Sequence, residues 1–348
     1  MALSLPVVHS PLCANHDVPI GVFCGMTVDN DELPVRAAIV LDACARAGAP
    51  TAIATEHGID AIARVHDSRF LHVMAGIHDW WVRDGDDLPP YVTPYYFPPV
   101  AGVHGGGIDR APATSRAEIG RYAMDTMTLI GPGTWTAAVA AVDAALTAVD
   151  VVLDGAPAAL AISRPPGHHA GPAFYGGSCY LNNAASAAAH FRAGGAGRVA
   201  IVDIDAHHGN GTQAIFWNAA TVFYGSIHID PGQGWFPHTV GYADEIDDTA
   251  TNLNVPVASG SGDDEWLAAL DRVLHAVAAF APDALVVSLG VDAATDDPNS
   301  PLNVTVEGFS GAGRRLADLD LPTVHVLEGG YVPSTLGALV MSVIQEFT

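Results

Sequence analysis

The sequence contains no lysine. All 14 of its basic residues are arginines, set against 38 aspartates and glutamates, for a formal net charge of −24. A surface this acidic repels phosphate backbones and anionic lipids, which argues against nucleic-acid or membrane partners, and it draws cations by long-range steering. Cysteine is scarce too. Cys13, Cys24, Cys44 and Cys179 show neither CxxC spacing nor a paired pattern, so they read as reduced, packed thiols rather than a disulfide framework or a zinc–thiolate site. Apolar runs fall short of the roughly 20 residues needed to cross a bilayer. The opening MALSLPVVHS lacks the basic start and apolar stretch of a secretion signal. The expectation is a soluble, cytoplasmic protein.

What is present is apolar bulk: 49% of 348 residues, enough for a large core and incompatible with intrinsic disorder. No repeat or low-complexity linker divides the chain, so residues 1–348 read as a single domain. Short Val/Ile/Leu/Ala runs at Ala158 to Ile162, Val199 to Ile204, Ala284 to Leu289 and Thr323 to Leu327 have the composition of buried parallel strands. Between them lie Ala-rich stretches of helical length: Thr134 to Val149, Asn183 to Arg192 and Asp264 to Ala279. This alternation predicts an α/β fold, a doubly wound, mostly parallel sheet with helices on both faces. Val73 to Pro112 stands apart. It gathers Trp80, Trp81, Tyr91, Tyr95, Tyr96 and Phe97 among prolines and glycines, and reads as an aromatic-rich insertion at an oligomer contact or a site rim, with plain surface packing as the alternative.

In open α/β sheets function collects beyond the carboxyl ends of the strands. Each of the four strands is followed by chemically capable residues: Arg164-Pro-Pro-Gly-His168-His169, Asp203-Ile-Asp205-Ala-His207-His208-Gly-Asn210, Gly290-Val-Asp292 and Glu328-Gly-Gly-Tyr331. Asp205 and His207, two apart in extended chain, leave on one side. With Asp292 they make a three-ligand set with an open position, the layout of a catalytic metal site. His168 and His169 can serve as base and acid, and Asp203 and Asn210 are candidate hydrogen-bond partners that would make the two titrate differently. Tyr331, after two glycines, is placed to stabilise an oxyanion.

Taken together, RPPGHHA, DIDAHHGNGTQ, SLGVD and EGGY resemble the histone deacetylase superfamily over most of the chain. PGTWTAA, FYGGSCYLNNAA, FPHTVGYADE and VVSLGVD are closest to its bacterial acetylpolyamine amidohydrolases. The resemblance implies an arginase/deacetylase-like fold and removal of acetyl groups from acetylated polyamines by metal-activated water. Asp205, His207 and Asp292 would hold Zn2+, with Fe2+ an alternative. A structural K+ would lie near Asp203, Asp205, His207, Ser226 and Ile227. His169 matches the general base and His168 its neighbour, one of which protonates the departing amine. Asp203 and Asn210 match the residues bonded to those histidines, and Tyr331 the carbonyl-polarising tyrosine. Arg36 resembles an arginine lining an internal acetate channel. The insertion implies a homodimer and a narrow mouth, with an acidic rim residue for which Glu118 and Asp109 are candidates. Gly177 and Phe236 match substrate-contacting tunnel positions, and Ser178 stands where many relatives carry an aromatic. A protein acetyl-lysine deacetylase, a broader small-amine deacylase and a non-catalytic sensor of acetylated amines stay open as alternatives.

Overall fold

Four neighbouring strands at the centre of one sheet account for the four apolar runs. A computed structural model describes residues 3–85, 87–97 and 114–347. Among these, the strands in chain order are β1 (Val7–His9), β2 (Ile20–Phe23), β3 (Met26–Asp29), β4 (Thr51–Ile53), β5 (Ala158–Ile162), β6 (Val199–Asp203), β7 (Val222–Ile229), β8 (Asn252–Val257), β9 (Ala284–Leu289) and β10 (Thr323–Leu327). The helices are α1 (Val35–Arg46), α2 (Ile59–Ile62), α3 (Ser68–Asp84), α4 (Ser115–Glu118) and α5 (Thr134–Leu153). They continue with α6 (Asn183–Ala193), α7 (Asn210–Phe216), α8 (Asp263–Phe280), α9 (Val306–Ala317) and α10 (Leu336–Ile344). The main sheet runs β4-β1-β5-β10-β9-β6-β7-β8 with all paired neighbours parallel, and β2 and β3 form a separate antiparallel hairpin.

The expected doubly wound architecture is present. Strand residues alternate between two apolar layers: Ala158, Leu160 and Ile162 join the cluster reached by α1, α8, α9 and α10, whereas Ala159 and Ala161 join the one reached by α5 and α6. Because both faces of β5 and β9 are covered, these strands are apolar at nearly every position rather than at every second one, while β10, equally buried, also carries Thr323 and His325. Each aliphatic side chain fully buried this way contributes roughly 1.5–3 kcal/mol. The sheet's outer strands carried weaker signals. β1 and β4 are three residues each, and β8 includes Asn252 and Asn254.

Two expectations need correction. Helix α5 is 20 residues long and, by length and composition alone, apolar enough to cross a bilayer. It is instead the central helix of one layer, packed on β1, β5, β10 and α6, with 72% of that stretch buried. Val73 to Asp84 is not irregular either. It is the second half of α3, whose Phe70, Met74, Ile77 and Trp81 recur at helical spacing on the buried face. The Asp67 side chain caps that helix by accepting from the amides of Arg69 and Phe70. The aromatic signal of Trp80 and Trp81 is therefore mostly packing. Of the remaining stretch, residues 98–113 lie outside the described ones, Asp109 among them.

Candidate active site

The sheet order β5-β10-β9-β6 brings all four polar clusters to one edge. His168 and His169 follow β5, Glu328 to Tyr331 follow β10, Asp292 follows β9, and Asp203 to Asn210 close β6 and enter α7. Sequence positions more than a hundred residues apart thus converge because their strands are hydrogen-bonded neighbours.

Asp205, His207 and Asp292 offer donor atoms that lie within 4.8 Å of one another. His207 Nδ1 is 2.9 Å from Asp292 Oδ2 and 3.4 Å from Asp205 Oδ1. On the far side of the ring, His207 Nε2 lies 3.1 Å from the Asn299 carbonyl, to which it donates when Nδ1 is left free as a ligand. Backbone amides hold the carboxylates: Ala206 N donates to Asp292 Oδ1, His207 N to Asp205 Oδ1 and Gly329 N to Asp205 Oδ2. Two glycines make room for them. A Cβ on Gly290 would fall 2.0 Å from Asp205 Oδ2, and one on Gly329 would fall 2.6 Å from both Asp205 Oδ2 and Asp292 Oδ2. Two fully buried carboxylates this close repel, and burial together with the Asp205 charge raises the Asp292 pKa. The imidazole, the two carboxylates and the cradle around them fit a divalent cation.

The histidine pair sits beside this set, ring centroids 4.0 Å apart. His168 Nδ1 is 3.1 Å from Asp203 Oδ2, while His169 Nδ1 is 2.7 Å from Asn210 Oδ1, so the two hydrogen-bond partners are those read from the sequence. Burial disfavours charge on His168, but the Asp205 and Asp203 carboxylates outweigh it and push the pKa up to about 10. Burial, reinforced by the charges of His168 and His207, holds His169 well below the ordinary 6.5. Near pH 7 the site therefore pairs a cationic imidazole with a neutral one. If neutral His169 is the working base, the acid limb of kcat/KM lies below pH 6.5. Replacing Asn210 with Asp favours the imidazolium and should move that limb upward by about 1–3 pH units. An unmoved limb in the pH–rate profile removes His169 from the base role.

A histone deacetylase domain model matches residues 31–347. Acetylpolyamine amidohydrolase 1 of Pseudomonas aeruginosa is 41% identical over 320 residues, covering 91% of both chains. Acetylpolyamine amidohydrolase of Mycoplana ramosa is 37% identical over 328 residues, 93% of this chain and 94% of that one. The crystal structure of an acetylpolyamine aminohydrolase from Burkholderia pseudomallei superposes with a TM-score of 0.93 at 37% identity, covering 99% and 98% of the two chains. The chain belongs to the histone deacetylase family. The hydrolase chemistry of that family and a divalent metal follow from membership.

Around this deacetylase site, the remaining sequence candidates divide. Phe236 stands edge-on to His169 at 4.8 Å, and a Cβ on Gly177 would press on both His169 and Phe236, so Gly177 and Phe236 both border the His169 ring. Ser178 is half-buried, with its amide donating to Thr128 Oγ1. Asp203 and Ser226 are register partners on β6 and β7, with Ile227 next along β7. Glu118 does not stand free at a rim. It is buried between Arg69, at 3.4 Å, and Arg121, at 3.5 Å, which balance its charge. The carboxylate the structure brings to the Gly177 loop is Asp125, which accepts from Gly177 N at 2.6 Å. Nothing in the AMDT stretch set Asp125 apart beforehand. Glu328 was read only as part of a motif. Its Oε2 accepts from the amides of Gly167 and His168, which pins the loop presenting the histidines. Arg36 is fully enclosed, donating to the carbonyls of Gly330 and Glu328 and to Glu32, with its guanidinium 4.6 Å over the Tyr331 ring.

Proposed function

We propose that this chain is a zinc-dependent amidohydrolase that removes acetyl groups from acetylated polyamines. The observation that carries the reading is the convergence of Asp205, His207 and Asp292 beside a histidine pair, one bonded to a carboxylate and the other to an amide. The substrate class rests on the acetylpolyamine amidohydrolases, with which the chain aligns over nine tenths of its length.

Asp205, His207 and Asp292 would hold the zinc, which when bound polarises the acyl carbonyl and lowers the pKa of water. Fe2+ suits the same imidazole and carboxylate donors. His169, its Nδ1–H directed at Asn210, presents a lone pair at Nε2 and takes a proton from the attacking water. Tyr331 donates its hydroxyl to the oxyanion that forms. Cationic His168, held by Asp203, adds positive charge beside that oxyanion. It also makes protonated His169 a stronger acid, so His169 passes its proton to the departing amine as the C–N bond breaks. A K+ ion near Asp203, Asp205, His207, Ser226 and Ile227 fits the same reading. So does a homodimer made through the insertion, where Tyr95, Tyr96 and Phe97 are 73%, 47% and 42% exposed.

The test is kcat/KM of the zinc-loaded protein on N-acetylputrescine, N8-acetylspermidine and an acetyl-lysine peptide. Polyamine rates at least ~10-fold above the peptide, about 1.4 kcal/mol of transition-state preference, support the narrow-mouth substrate. A peptide that matches or beats them makes the enzyme a broader deacylase. Within that comparison Asp125→Asn should lower kcat/KM on acetylputrescine by about 5–10-fold, losing roughly 1 kcal/mol of attraction to the distal ammonium. The neutral end of an acylated alkylamine should lose far less. Equal losses on both substrates would make Asp125 a scaffold for the Gly177 loop only.

A further inference from the structure

Three side chains that share no residue with the site above meet where the segment after β4 crosses helices α5 and α6. His190 Nε2 is 2.8 Å from Asp150 Oδ1, and His57 Nε2 is 3.6 Å from Asp150 Oδ2. The two imidazoles stand edge to face with centroids 5.2 Å apart. One donor atom from each of the three lies within 4.8 Å of the others. Ligands at zinc–nitrogen and zinc–oxygen distances of about 2.0–2.2 Å in a tetrahedron sit roughly 3.3–3.6 Å apart, so this spacing needs shifts of only tenths of an ångström for the aspartate–histidine pairs.

We propose that His57, Asp150 and His190 bind a second divalent transition-metal ion of the zinc class, with water completing the coordination. Two imidazoles and a carboxylate are the ligands such ions prefer over calcium or magnesium, which take oxygen. The site is held yet reachable. His57 and His190 are 12% and 17% exposed, and Asp150 is 44% exposed. The His57 backbone is fixed by its amide, which donates to Asp143 Oδ1 at 2.9 Å, while the ligand atom Nε2 lies 3.1 Å from Thr147 Oγ1 and 3.3 Å from Thr55 Oγ1, contacts that the ion would replace. Asp143, Thr147 and Asp150 occupy one face of α5 at helical spacing, which places a second carboxylate behind the ligands. One cation opposes the ion. Arg64 NH1 is 3.0 Å from His190 Nδ1. Arg64 is exposed, so on metal binding its guanidinium can turn to solvent while His190 transfers its ring proton to Nδ1 and leaves Nε2 free to coordinate.

Such an ion ties the chain between β4 and α3 to the α5–α6 layer. That stretch also carries His66, whose Nε2 accepts from Asn182 N and whose Nδ1 is 2.8 Å from the Gly171 carbonyl, next to the loop bearing His168 and His169. Structural reinforcement of the active-site loop is the role this connection supports.

Equilibrium dialysis of the full chain against buffered Zn2+, with metal counted by mass spectrometry, tests the site. His190→Gln and Asp150→Asn should each bind one ion fewer per chain than the unmodified protein, or bind that ion at least ~10-fold more weakly, while keeping turnover. Added zinc should raise the melting temperature of the unmodified protein more than that of Asp150→Asn. Asp292→Ala should lose a different ion, together with turnover, and the Asp150→Asn, Asp292→Ala double variant should lose both. Equal metal counts in Asp150→Asn and the unmodified protein overturn this second site and leave the proposed function standing. An unchanged count in Asp292→Ala overturns the first site and not this one.

Discussion

Tyr331→Phe should lower kcat on acetylputrescine by about 10²–10³-fold, with KM changed by no more than about threefold. The expectation rests on how the phenol is held. Gly330, at φ +128°, turns the chain out of β10, and the Tyr331 amide donates to Asp297 Oδ2 at 2.8 Å. The Arg36 guanidinium lies over the ring. Burial, with the charges of Asp292 and Asp205, raises the Tyr331 pKa well above 10 against the opposing pull of Arg36. The hydroxyl is therefore a proton donor throughout the working range. A donor of this kind bonds most strongly to the charge that develops on the acyl oxygen, not to the neutral carbonyl. Deleting one typically costs about 2.7–4 kcal/mol in the transition state. Steady-state kinetics decide the matter. A raised KM with unchanged kcat would make Tyr331 a ground-state binding residue.

Asp292→Ala should be more severe, lowering kcat/KM by more than about 10³-fold, since metal activation supplies several kcal/mol of the barrier reduction and each 1.4 kcal/mol is a decade. The substitution removes one of the two charges that make the cradle attractive to a cation, along with the acceptor for Ala206 N and a partner of His207 Nδ1. Its independent readout is metal content after dialysis, which should fall by one ion per chain. Asp292→Ala that retains both its metal and its activity would show that the buried Asp–His–Asp set is a structural network and not the reaction centre.

The two effects differ in kind, and the difference comes from position. In the proposed mechanism Tyr331 would act only once charge has moved, whereas Asp292 would contribute to the field in which water and carbonyl are polarised from the start. His168 and His169 show the same logic at the scale of two adjacent residues. One pairs with a carboxylate and stays charged. The other pairs with an amide and, being buried, stays neutral.

Much of this was legible along the chain because the relevant signals are local. Parallel strands buried on both faces are largely apolar, so β5, β6, β9 and β10 stood out as runs rich in Ala, Val, Ile and Leu, with boundaries matching to within a residue. Polar clusters directly after such runs are gathered at one end of an α/β sheet, and the motifs DIDAHHGN and EGGY carried the residue types of metal and oxyanion chemistry in a readable order. Asp203 and Asn210 could be picked as partners of the histidine pair because each is a short polar residue at the same strand end, whereas the assignment of Asp203 to His168 and Asn210 to His169 came from the family resemblance.

Other features depended on packing between distant segments. The three-residue strands β1 and β4 have too few residues for a periodic signal, and their place in the sheet comes from pairing with β5. The aromatics of α3 resembled a functional insertion until the helix turned Trp81 into the core. An acidic residue near the mouth could be counted in the sequence but not chosen. Only the fold places Arg69 and Arg121 on Glu118 and directs Asp125 to the Gly177 amide. The His57–Asp150–His190 cluster drew no notice in one dimension because its members belong to a loop and two helices. The sequence by itself determined the fold class and the candidate reacting groups, through composition and short-range patterns. Tertiary structure decided which charges are balanced, which carboxylate holds the Gly177 amide and which histidine stays neutral, because those depend on burial and on neighbours brought together by the sheet.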